Sequence, residues 1–215
     1  MKRKRAKQQG HLLYAVAAAI ALLAIVLAVF SGLERGARAT AENAGTMVAP
    51  TTAALPSGPD ESCITSVEER IVRGSSMAGL LSDGDTVSVQ FGYYACNAPQ
   101  KGDVALVHFA GDANPLIKAI KAAPGDSFLL SGTSCGWNIV VNGKVLQNSE
   151  AQDYCVGYSG YRMLSLYVQS YNGVIPQDAY LVLGNLAEGS TDSTRFGLVS
   201  RDSLLGKVEI PANPA

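Results

Sequence analysis

Ile139-Val140-Val141-Asn142-Gly143-Lys144-Val145-Leu146 holds two short β-type runs, Ile139–Val141 and Lys144–Leu146, with two residues between them. Asn-Gly in that place is the strongest hairpin signal in the chain, because both residues tolerate the positive φ that a two-residue turn demands. Outward from this hairpin, runs of the same kind fall at Glu69–Arg73, Thr86–Phe91, Val104–Phe109, Leu116–Ile120, Tyr180–Leu183 and Leu204–Ile210. Gly84-Asp85, Gly102-Asp103 and Gly125-Asp126 punctuate them. No long amphipathic helical stretch competes, and Ala78–Leu81 is too short to assign. The pattern predicts a mainly β domain of antiparallel sheet over residues 61–215.

The amino-terminal part has a different composition. Residues 1–11 carry Lys2, Arg3, Lys4, Arg5 and Lys7 and no acid. Residues 12–31 hold an uncharged apolar run, Leu12 to Phe30, close to the length of one membrane-spanning helix. The five bases before it place the amino terminus in the cytoplasm by the positive-inside bias, and the remainder on the outer, periplasmic side of a cytoplasmic membrane. A cleaved secretory signal is the competing reading, with Ala37-Arg38-Ala39 as a small-x-small site. The apolar run is long for that, and charges separate it from the site. Residues 32–60, rich in Ala, Thr, Gly and Pro, read as a flexible linker.

Charge and cysteine content exclude some functions. The chain has 17 Lys and Arg against 18 Asp and Glu; setting the five leading bases aside leaves 12 against 18, about −6 downstream. Such a domain has no basic patch for nucleic acid. Cys63, Cys96, Cys135 and Cys155 all follow the expected span, so disulfides are the expected state, with three connectivities open. No C-x-x-C spacing and no phosphate-binding Gly-rich loop is present, which suggests neither metal nor nucleotide cofactor.

A hydrolytic site in this domain has few bases to draw on. His108 ends an apolar run and reads as a strand residue, so a Ser-His-Asp triad would rest on one unsupported histidine. Lysine serves as a base only where burial destabilises its ammonium. Lys118 has that setting, flanked by Leu116, Ile117, Ala119 and Ile120, and alternation puts it on a face shared with Leu116 and Ile120. The competing expectation is a buried stem with the amine reaching water.

Gly74-Ser75-Ser76-Met77 followed by Asp83-Gly84-Asp85 resembles the nucleophile box of the signal peptidase I family. Lys101-Gly102-Asp103-Val104, Ile117-Lys118 six positions before Pro124-Gly125-Asp126, Val141-Asn142-Gly143, and Ser190-x-Asp192-Ser193 with Gly197 and Gly206-Lys207 continue in the family's order. The resemblance implies a membrane-anchored serine endopeptidase with Ser76 as nucleophile and Lys118 as general base. Ser190 matches the serine that orients the lysine amine, and Asp192 and Ser193 match its supporting pair. The backbone amide of Ser76 would donate to the oxyanion, with Gly74 or Ser75 beside it. Implied partners are membrane lipid and a membrane-tethered preprotein with small residues before the cleavage site.

Departures accompany the matches. The x-Pro that usually follows Ser-Met is Ala78-Gly79, and the Gly-Asp-Asn opening of the last box is Gly184-Asn185-Leu186. Ala119 and Thr194 stand where the family has the two arginines that surround the box's aspartate, leaving Arg195 or Lys121 as candidate replacements beside Asp192. These differences resemble, loosely, a member dedicated to pilin or secretion-subunit maturation in conjugation. A self-cleaving Ser-Lys domain of the LexA type is disfavoured by the apolar span, and an inactive scaffold by the presence of both Ser76 and Lys118.

Overall fold

The computed structural model describes residues 58–109 and 114–211. They belong to one compact unit, Ala54–Ala215. The expected basic tail, the expected span and nearly all of the expected linker lie outside the described residues. Among the described residues no helix is long and apolar enough to cross a membrane.

The chain runs through β1 (Ser66–Ile71), β2 (Thr86–Phe91), α1 (Tyr93–Cys96), β3 (Val104–Val107), β4 (Leu116–Ala122), β5 (Phe128–Thr133), β6 (Gly136–Val141) and β7 (Lys144–Val145). It continues through β8 (Cys155–Val156), α2 (Tyr158–Ser170), β9 (Ala179–Leu183), α3 (Ser193–Phe196), β10 (Val199–Ser200) and β11 (Leu204–Glu209). Seven strands form one sheet in the order β1-β2-β11-β3-β4-β9-β10. The second sheet orders β5-β6-β7, with β8 also on β6. Their strand pairings are antiparallel. The fold is therefore mainly β and antiparallel, as the sequence predicts.

The hairpin at Asn142-Gly143 forms with both turn residues at positive φ, 51° and 74°, and Val141 opposite Lys144. Thr86–Phe91 is a strand over the expected residues, whereas the expected Glu69–Arg73 run begins earlier and ends at Ile71. The stretch Ala78–Leu81, too short to assign from sequence, falls mostly within a turn over residues 76–80 in which Leu80 N and Leu81 N donate to Met77 O.

One expectation is overturned. The 13-residue helix α2 is present where the sequence pattern shows no helical stretch. Its residues include Tyr158, Tyr161, Tyr167 and Val168, of strand-favouring types, and only Leu164 is fully buried. Contact with the rest of the fold sustains it: Leu164 packs with Phe128, Ile139, Tyr154 and Leu181, and a Cβ on Gly160 would touch Val156 and Thr194.

Strand β4 is covered on both faces. Ile117 and Ala119 pack with Met77, Val89 and Leu106, while Ile120 packs with Ala105, Val107 and Val182. The half-buried alternation expected there is thus replaced by a central strand enclosed on both sides. The four cysteines pair as Cys63–Cys96 and Cys135–Cys155, which selects one of the three open connectivities.

Candidate active site

Lys118 stands in the middle of β4, opposite Ala105 of β3, and is 1% exposed. Its Nζ donates to Ser76 Oγ over 2.7 Å and to the Ile117 carbonyl over 3.0 Å. Burial pushes its pKa down from the usual lysine value to about 8, with the Asp192 carboxylate opposing the shift. The amine does not reach out to water; it ends on the serine hydroxyl.

Ser76 is half-buried on the turn that follows β1. Gly74 starts this turn at φ +81°, and its amide donates to Asp83 Oδ1 over 2.6 Å, so Gly74 N is already committed. The Ser76 amide donates to no acceptor among the described residues, and the exposed Ser75 hydroxyl likewise has no partner there. Ser76 and Lys118 open into a groove of about 640 Å³ whose walls include Val72, Met77, Leu106, Ile117 and Leu205, with Arg70 and Arg73 also lining it. His108 is exposed beyond the end of β3 and does not line this groove.

Behind the pair lies Gly184-Asn185, at the end of β9. Strand β9 places Leu183 opposite Ala119, which brings the dipeptide beside Lys118's neighbour. Gly184 N donates to Asp192 Oδ2 over 3.0 Å, Tyr154 Oη donates to Gly184 O over 2.6 Å, and Asn185 N donates to Ser76 O over 2.7 Å. A Cβ on Gly184 would run into Ser190 Oγ and Ser76 O. Ser76, Asp192 and Ser190 therefore converge on one residue without a side chain.

Asp192 is 1% exposed and makes no salt bridge among the described residues. The expected substitutes for its arginines are engaged or turned elsewhere. Lys121 Nζ donates to Gln147 O and sits over the Tyr154 ring, and Arg195 is exposed. Four hydrogen bonds take the arginines' place, from Gly184 N and Ser190 Oγ to Oδ2, and from Thr194 N and Thr194 Oγ1 to Oδ1. Both carboxylate oxygens are thus hydrogen-bonded in the interior without a cation beside them. Ser190 thus donates to Asp192; the Lys118 amine's hydrogen-bond partners are Ser76 and Ile117. Ser193 Oγ accepts from Val182 N and fastens α3 to β9.

Of the residues singled out in the sequence, the structure brings Ser76 to Lys118 and Ser190 to Asp192, while Ser193 binds Val182; Asn148, Ser149, Tyr154 and the contacts of Asn185 are not foreseen there. Only the departure at Gly184-Asn185 pointed that way. Among the described residues no group of His, Cys, Asp and Glu is placed to hold a metal.

The family "Signal peptidase, peptidase S26" matches residues 62–212. Signal peptidase IB of Staphylococcus aureus (strain COL) is 32% identical over 146 residues, 64% of this chain and 73% of that protein. A probable signal peptidase I-2 of Synechocystis is 30% identical over 148 residues, 65% of this chain and 60% of that protein. A crystal structure of a signal peptidase I from Enterococcus faecalis is 19% identical with a TM-score of 0.38, covering 53% of this chain and 98% of that one. With the family pattern spanning both sheets and every residue around Lys118, the chain belongs to the signal peptidase family, peptidase S26.

Proposed function

We propose that this chain is a membrane-anchored serine endopeptidase that removes signal or leader peptides from exported preproteins, with Ser76 and Lys118 as its catalytic pair. The observation that carries the reading is the 2.7 Å approach of Lys118 Nζ to Ser76 Oγ, with the lysine pKa held near 8. Neutral Lys118 takes the Ser76 proton as Oγ attacks the scissile carbonyl, then gives it to the leaving amine as the peptide bond breaks. The acyl group stays on Ser76 until water, deprotonated by the same amine, releases it. The Ser76 amide, without an acceptor among the described residues, is the natural donor to the oxyanion, and the adjoining Ser75 hydroxyl is the candidate to assist.

The substrate is a preprotein with small residues before the cleavage site, presented at the outer face of a cytoplasmic membrane. Residues 12–31 anchor the enzyme with its amino terminus inside, and two disulfides suit a domain that works outside.

The test is cleavage of a preprotein bearing Ala-x-Ala by the detergent-solubilised full chain. Ser76→Ala and Lys118→Ala each lower the rate by about 10³-fold or more, and the double variant is hardly worse, because residues acting as a unit are non-additive. Wild-type cleavage by either single variant overturns the assignment.

A further inference from the structure

Asn185 uses all of its polar atoms while only 1% exposed, and two of its hydrogen bonds hold the Ser76 turn while the other three hold residues 148 and 149. Its backbone N donates to Ser76 O over 2.7 Å. Its Nδ2 donates to Ala78 O over 2.7 Å and to Ser149 Oγ over 2.7 Å. Its Oδ1 accepts from Ser149 N over 3.0 Å, and its carbonyl accepts from Asn148 Nδ2 over 3.0 Å. Asn148 Oδ1 in turn accepts from Glu150 N and Gln152 N, which shapes the excursion between β7 and β8 into a tight backing.

We infer that Asn185 is a positioning residue for the nucleophile, gripping the Ser76 turn by the carbonyls of Ser76 and Ala78 with residues 148–152 braced behind it. The inference rests on Ser76 being the nucleophile. Gly79 fits the turn against this brace: at φ +85°, a Cβ there would lie 3.0 Å from Asn185 Nδ2 and 3.1 Å from Glu150 Oε1. In the pattern this chain resembles, a proline follows the nucleophile and an aspartate stands at the position of Asn185. Here both are absent together, and the amide makes two donations that a carboxylate cannot. Stiffness that a proline ring would supply from within the turn is supplied from outside it. The Ser76–Lys118 distance depends on where the Ser76 backbone lies, and small displacements at reacting atoms are expensive in rate.

The experiment measures cleavage kinetics and backbone amide exchange on the full solubilised chain for Asn185→Ala, Asn185→Asp and Ser149→Ala, beside Ser76→Ala. Asn185→Asp keeps the shape and the acceptance from Ser149 N but loses both Nδ2 donations. Ser149 is exposed, so Ser149→Ala removes one Nδ2 partner from a fold that survives it. Expected is a kcat lower by about tenfold in both Asn185 variants and about threefold in Ser149→Ala, with KM within about twofold, because the backbone bond from Asn185 N remains. Amides of Leu80 and Leu81 exchange faster in the Asn185 variants. Phe128→Leu, a core change in the second sheet, loses stability but keeps kcat. Wild-type kcat in both Asn185 variants, or unchanged exchange in the turn, overturns the positioning role while an inactive Ser76→Ala keeps Ser76 as nucleophile. An active Ser76→Ala overturns the nucleophile and the positioning role together.

Discussion

Lys118 is 1% exposed, and burial, opposed by the Asp192 carboxylate, brings its pKa from 10.5 to about 8. In the proposed mechanism its working form is the neutral amine, so kcat/KM should rise about tenfold per pH unit below pH 8 and level off above it. A pH–rate profile with its midpoint near 6.5 would point to a histidine instead. The same shift sets a stability slope. Between about pH 8 and 10.5 the unfolded chain binds more protons than the folded one, so the folded state gains stability as pH rises through that window. Below it the full cost applies, on the order of 3 kcal/mol before the amine's hydrogen bonds are counted. Lys118→Met should therefore be inactive yet more stable at pH 7 by about 1–3 kcal/mol, the gain shrinking toward pH 10 in denaturant titrations. The sequence makes Lys118 legible because a lysine among Leu116, Ile117, Ala119 and Ile120 has no cheap place to put its charge. Asp192's four hydrogen bonds are illegible there: two come from backbone amides, which every sequence possesses.

At the scale of elements, α3 is a single turn that carries Asp192 at its N-cap and ends on Gly197 at φ +86°. A Cβ on Gly197 would collide with the Tyr167 ring of α2. Gly197→Ala therefore meets both an unfavourable backbone region and a clash, and should cost about 2–4 kcal/mol in urea unfolding, with activity falling because Asp192 shifts. Tyr167→Phe, which removes only the hydroxyl, should fall well short of that loss. Strands β2, β9 and β11 are readable because their apolar runs are short and bounded by turn residues. Helix α2 is not, since its tyrosines and Val168 favour strand and its only fully buried residue is Leu164. Its conformation is decided by what it packs against, and that information is spread over β5, β8 and α3.

For the whole molecule, Cys63–Cys96 and Cys135–Cys155 span 33 and 20 positions of the chain. By the chain-entropy account each bridge disfavours the unfolded ensemble by about 3–4 kcal/mol. Alkylation of unreduced, denatured protein from its own host should leave all four cysteines unlabelled in mass spectra. Cys135→Ser with Cys155→Ser should lower unfolding free energy by about 2–4 kcal/mol. Four labelled thiols would remove both the bridges and the argument for an oxidising compartment.

Strand β11 is the last described strand in chain order, yet it lies third in the large sheet, between β2 and β3. Until residues 204–209 arrive, β1-β2 and the β3-β4-β9-β10 half share no strand pairing and have facing open edges. On a ribosome, or on a translocation channel that feeds the chain amino terminus first, Ser76 and Lys118 are made early but sit on opposite pieces. If Ser76 and Lys118 are the catalytic pair, cleavage would wait on the strand delivered last, and a partly delivered chain would present two unpaired edges for chaperones to guard in place of an early active protease.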